Sequence, residues 1–122
     1  MSKQIQVFYE LEVLEGKADE LRDIARQMVA FNKQGEPETL VYNVYMSEDD
    51  KVFTFLETWA DSAAGIFHAD RFAKGDFVAQ VLERTGKARL CMYGDVSDEM
   101  KNWAGDNGFD VEYATRIDGF VR

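Results

Sequence analysis

The chain is poor in the residues that build stapled, metal-bound or exported proteins. It carries one cysteine, one proline and one histidine in 122 residues. A lone Cys91 cannot close an internal disulfide, which fits a reducing cytoplasm. One histidine and one cysteine on separate segments give no zinc-type ligand spacing, so no metal is expected. Basic residues are also scarce: 14 Lys and Arg stand against 23 Asp and Glu, a formal net charge of −9. That excludes the basic face nucleic acid requires and disfavours anionic membranes and strongly anionic substrates. No apolar run approaches the ~18 residues of a membrane span, and the N-terminus lacks a basic-then-apolar export pattern. Gly16 and Gly65 fall at a turn and inside a helical stretch, so no glycine-rich phosphate loop follows a strand. Nothing singles out a nucleophile beside His68.

What is present is aromatic: nine Phe, five Tyr and two Trp, enough for a sizeable core and a pocket. The length suits one domain that buries roughly two thirds of its unfolded surface. The most informative stretch is Val52–His68, a strand pattern that turns into a helix ending on the only histidine. Phe53, Phe55, Glu57 and Trp59 share one strand face, so Glu57 and Trp59 lie about 7 Å apart. Asp61 or Ser62 can cap the helix, which brings His68 about two turns further on. A carboxylate, an indole and an imidazole thus come from one strand–helix unit.

The remaining chain organises around that unit. Ile5, Val7, Tyr9, Leu11 and Val13 alternate on a first strand, with Phe8 interrupting its polar face. Ala18 to Gln34 has helical spacing (Leu21, Ile24, Ala25, Met28, Phe31) and ends at Gly35 and Pro37. Thr39–Met46 is a second strand, joined to the third through the polar turn Ser47–Asp50. A short helix starts near Gly75–Asp76 and ends at Gly86; Ala88–Tyr93 is a fourth strand. Strand, helix, strand, strand, helix, strand is the order of a split β-α-β, ferredoxin-like α+β unit. Helices would cover one face of a four-stranded antiparallel sheet, and the apolar residues left on the other face predict a homodimer packed sheet to sheet. Residues 1–95 form this domain, and 96–122 an extension with a helix capped by Ser97 and a fifth strand from Phe109. The extension is expected to pack on the same domain or on the partner subunit.

With that order in place, the chain resembles the antibiotic biosynthesis monooxygenase family of dimeric α+β barrels. The resemblance rests on Gly16-Lys17, Tyr42-Asn43-Val44-Tyr45, Glu57-Thr58-Trp59-Ala60-Asp61, and His68 before Phe72, and covers about residues 4–95. It implies a cofactor-free oxidation of quinols or polycyclic phenols by dioxygen, haem degradation, modification of small signalling molecules, or a barrel without a known reaction. At the first-strand asparagine of the haem-degrading branch this chain has Tyr9, and at its haem-ligating histidine it has a residue near Asp76.

The resulting expectation is a cofactor-independent monooxygenase acting on a small quinol or polycyclic phenol with dioxygen, with no cofactor, nucleic-acid or membrane partner. His68, whose ordinary pKa lies near neutrality, would take a phenolic proton. Trp59 and Tyr9 would complete the catalytic wall, with Phe55, Tyr45 and Phe72 against the substrate. Glu57 is read as a structural anchor held by Arg89 or Arg71. The competing class is a non-catalytic small-ligand-binding or stress-response dimer on the same barrel.

Overall fold

The computed structural model describes residues 3–122. Five strands form one mixed sheet in the order β2-β3-β1-β4-β5. They are β1 (Ile5–Val13), β2 (Thr39–Met46), β3 (Val52–Trp59), β4 (Thr85–Tyr93) and β5 (Val111–Ala114). The first four pair antiparallel, whereas β5 joins the β4 edge in parallel. The sheet therefore differs from a four-stranded antiparallel one by the strand that the extension adds. Four helices complete the order: α1 (Ala18–Gly35), α2 (Ser62–Lys74), α3 (Phe77–Leu82) and α4 (Asp98–Asp106). No helix among the described residues is long and apolar enough to cross a membrane.

Strand parity decides which side chains face the helices. Ile5, Val7, Tyr9 and Leu11 lie opposite Trp59, Glu57, Phe55 and Phe53 in the β1–β3 register, all on the helix-covered face. Tyr42 lies beside Glu57 across β2–β3, which turns Tyr42 inward and its neighbours Val41 and Asn43 outward. β4 begins at Thr85, so Gly86 sits inside a strand rather than ending a helix. A Cβ at Gly86 would stand 2.7 Å from Oε1 of Glu12, so the end of that side chain would have to shift to admit one.

Two buried clusters share this face. One, under α1, joins Leu11, Leu21, Ile24, Met28, Phe53, Phe55 and Val81. The other, under α2 and α4, joins Ile5, Val7, Trp59, Ala64, Met92 and Met100. Ser97 starts α4 by accepting a hydrogen bond from the Met100 amide, and Met100 itself is wholly buried. The extension thus packs into the core of its own chain. The opposite sheet face has no helix, and Val41, Tyr45, Leu56 and Tyr93 are exposed.

If α4 is part of the core, Met100→Ala should destabilise the protein by about 2–5 kcal/mol, the usual cost of emptying a buried Met site. Urea unfolding monitored by circular dichroism checks this. An unchanged midpoint would show that α4 is only loosely attached.

Candidate functional site

The seam between the two clusters holds a cavity of about 60 Å³. Its floor is the sheet, through Val7, Tyr9, Phe55, Trp59 and Met92, and its sides come from α1, α2 and the extension. Almost all of its lining is apolar. The charged exceptions are Glu57 on β3 and His68 on α2.

Local structure brings these two together. Asp61 caps α2 by accepting from the Ala64 amide at 2.8 Å, which fixes the start of the helix. Gly65 then lies flat on the Trp59 indole: a Cβ there would stand 2.2 Å from a ring carbon. Glycine is a poor helix former, but here its missing side chain lets α2 approach β3. His68 follows one turn later on the same face and reaches Glu57. Its Nε2 lies 3.0 Å from Glu57 Oε1, and its Nδ1 lies 2.6 Å from Glu36 Oε1.

The ring is held on both edges, and this decides its protonation. Each nitrogen faces a carboxylate oxygen, so only the imidazolium can donate on both sides. Burial by itself would push the His68 pKa down. The charge of Glu57 and the hydrogen bonds to both carboxylates outweigh it and raise the pKa from 6.5 to about 10. Glu36 responds in the opposite direction. Burial would raise its pKa, but the His68 hydrogen bond and charge, with Thr39 and Arg71, hold it below the ordinary value. Arg71 Nε donates to Glu36 Oε2 at 3.0 Å, while its guanidinium lies over the Phe31 ring at 4.1 Å. Glu36, Glu57, His68 and Arg71 form a neutral cluster of two anions and two cations.

Glu57 also serves Trp59, whose Nε1 donates to Oε1 at 3.2 Å. Both bonds reach the same oxygen. Oε2 has no hydrogen-bond partner among the described residues, although Glu57 is only 6% exposed. No fully enclosed side-chain nitrogen or oxygen among these residues lacks a partner, so Oε2 has open space before it. Glu57 lines the cavity, so that oxygen can accept a hydrogen bond from a bound group. Burial, and then the charge of Glu57, raise the Tyr9 pKa, so its phenol stays protonated beside the carboxylate.

Several expectations change at this point. Trp59 and His68 do converge, with ring centroids 5.9 Å apart, and Tyr9, Phe55 and Phe72 also line the cavity. Tyr45 does not: it is half exposed on the open sheet face, and Tyr42 occupies the inward position. Tyr42 packs on His68 at 5.5 Å and is hydrogen-bonded to Asn32; burial pushes its pKa well up. His68 is not a free ring, because both of its nitrogens lie within hydrogen-bond distance of carboxylate oxygens. The anchor of Glu57 is His68, with Trp59, and neither suggested arginine. Arg89 faces the other way and pairs with Glu112 at 2.7 Å, while Arg71 binds Glu36. In sequence Glu36 stands between Gly35 and Pro37, which mark only the end of the helix, so nothing local points to its burial. The one available signal was that a helix-terminating segment must come close to whatever the next strand presents.

The cluster predicts a pH dependence of stability. A His68 pKa raised from 6.5 to about 10 contributes stability that is full below pH 6.5 and fades as pH rises through 10. The lowered Glu36 pKa contributes stability above its ordinary value, lost as pH falls. The melting temperature should therefore peak in mildly acidic solution and decline toward pH 10, and His68→Gln should remove the alkaline decline. The tyrosines are common to both proteins and cancel in that difference. Parallel wild-type and variant curves between pH 7 and 10 would refute the clamped imidazolium.

The sequence profile of antibiotic biosynthesis monooxygenases matches residues 5–80. Among curated proteins, none matches. Among solved structures, MupZ from Pseudomonas fluorescens is similar with a TM-score of 0.81 at 14% identity, covering 98% of this chain and 95% of that one. Rv0793 from Mycobacterium tuberculosis (TM-score 0.65, 17% identity) covers 78% of this chain and 97% of its own. A Caulobacter crescentus protein named for a proposed antibiotic biosynthesis monooxygenase activity (TM-score 0.62, 25% identity) covers 75% and 88%. The MupZ likeness thus extends over α4 and β5. With more than half of its length matched and its ferredoxin-like sheet in place, the chain belongs to the antibiotic biosynthesis monooxygenase family.

Proposed function

We propose that the protein is a cofactor-independent monooxygenase that oxidises a small quinol or polycyclic phenol with dioxygen. The observation that carries this reading is the unpaired Glu57 oxygen at one end of an apolar, aromatic-walled cavity. A neutral hydroxyl donor on a flat ring suits both features, and an anionic substrate would be repelled by the same carboxylate.

In this mechanism the phenolic hydroxyl donates to Glu57 Oε2 while the ring packs against Trp59, Phe55 and Tyr9. A phenol is a far weaker acid than a carboxylic acid, so full proton transfer to a carboxylate before oxidation is uphill. The proton therefore moves as the ring loses an electron to dioxygen, so that a free phenolate need not accumulate. The ring radical and the reduced oxygen then combine at a ring carbon, and loss of water leaves a quinone. For a naphthol, one substrate and one dioxygen give one naphthoquinone and one water, with all electrons supplied by the substrate. His68 is a positioning residue here: its imidazolium holds Glu57 in place and keeps its Oε1 occupied. The dry walls shield the radical pair from water.

The test is oxygen uptake by metal-stripped protein on a panel of quinols and naphthols. Glu57→Gln should lower the turnover rate by about 10²–10⁴, the usual effect of losing a general base. Wild-type turnover by that variant would remove Glu57 from the chemistry. The cavity's small volume favours a second reading, a non-catalytic module that holds a small ligand. Ligand binding with no oxygen uptake across the panel would select it.

A homodimer belongs to the same proposal, because Val41, Tyr45, Leu56 and Tyr93 leave the helix-free sheet face apolar and exposed. Light scattering at micromolar concentration should give twice the chain mass, and a stable monomer would contradict it.

A further inference from the structure

The cavity is smaller than the ligand just proposed for it. At about 60 Å³ it falls well short of the roughly 150 Å³ cavity that holds benzene in an apolar core. Some wall has to be displaced, and the walls are not equally fixed. The floor is a hydrogen-bonded sheet. The α2 wall is pinned through His68 to carboxylates on two different elements. The remaining side is built by the extension, with Trp103 and Phe109 stacked at 5.8 Å and an interplanar angle of 17°. Both rings line the cavity and both are only partly buried. One hydrogen bond ties this pair to α2, from Trp103 Nε1 to Asp70 Oδ1 at 3.1 Å. Asp70 shares its carboxylate with exposed Lys74, so the tether lies at the protein surface. Met100, one turn earlier, keeps the start of α4 buried.

We infer that Trp103 and Phe109 determine which ring systems the cavity admits, by forming the one wall that yields when a ligand enters. The inference rests on the reading of the cavity as a phenol site. Both rings lie outside the matched family region, residues 5–80, so selection by size is a property of the extension. Asp70 acts through Trp103 as a positioning residue. Shrinking either ring leaves more space beside the remaining aromatic surface, which favours a two-ring phenol over a one-ring phenol.

Calorimetric titration of phenol and 2-naphthol without oxygen tests this in wild type, Trp103→Leu, Phe109→Leu and Asp70→Ala. Hydrophobic pockets discriminate by size over about 10–200-fold. The ratio of 2-naphthol to phenol affinity should rise about tenfold or more in the two leucine variants. In Asp70→Ala it should move the same way by less. A structural role alone would weaken both ligands together, and an unmoved ratio overturns the proposal while leaving the phenol site standing. If Trp103→Leu does not fold, Phe109→Leu and Asp70→Ala carry the same comparison. A shifted ratio without oxygen uptake would uphold the wall and remove the oxygenation chemistry. Binding of neither phenol by any of the four proteins would overturn both.

Discussion

The structure turns on a neutral group of four charges: Glu36 and Glu57 against His68, all three buried, and the partly exposed Arg71. Each buried member would be expensive alone, since an unpaired charge away from water costs several kcal/mol. Together they satisfy one another, with His68 bonded at 2.6 and 3.0 Å and Arg71 at 3.0 Å. The cluster ties the end of α1 to α2 across 32 residues of sequence, and α2 to the adjoining strand β3. Removing one partner would leave the others without their counter-charges. The cluster also explains how a glutamate can sit in an apolar cavity wall: His68 and Trp59 hold one of its oxygens, leaving the other free.

This arrangement divides the chemical labour differently from a histidine-as-base scheme. A base has to offer a lone pair, and the His68 ring has none to offer while both nitrogens face carboxylates. Its contribution is charge and position. In the proposed reaction the basic atom is instead an oxygen of Glu57, which lines the cavity and is held through its other oxygen by His68 and Trp59. The extension closes the remaining side with Trp103 and Phe109, so the cavity is completed by a segment outside the matched family region.

Much of the fold was legible because the strands alternate cleanly. The parity of β1 and β3 put Glu57 and Trp59 on one face with Phe53 and Phe55, and the caps at Asp61 and Ser97 marked two helix starts. Tyr42 and Tyr45 show where that legibility stops. Alternation separates the two onto opposite faces, but with apolar residues on both sides it does not say which face is inward. Glu36 could not be read at all, because its role depends on a contact 32 residues along the chain with a histidine on another element. The partner of Glu57 was missed for a related reason: charge complementarity suggested arginine, whereas the register turns Arg89 outward toward Glu112. The parallel pairing of β5 was equally hidden, since a short alternating segment carries no information about its direction in a sheet.

The central claim is that His68 is a permanently charged clamp at neutral pH. The chain has one histidine, so its imidazole gives a single assignable set of signals in a ¹⁵N-labelled sample. Following those nitrogen shifts from pH 5 to 11 measures the protonation state directly. The account predicts two protonated ring nitrogens throughout the neutral range, with titration only near pH 10. A neutral ring at pH 7.5, titrating near the ordinary value of about 6.5, would contradict it.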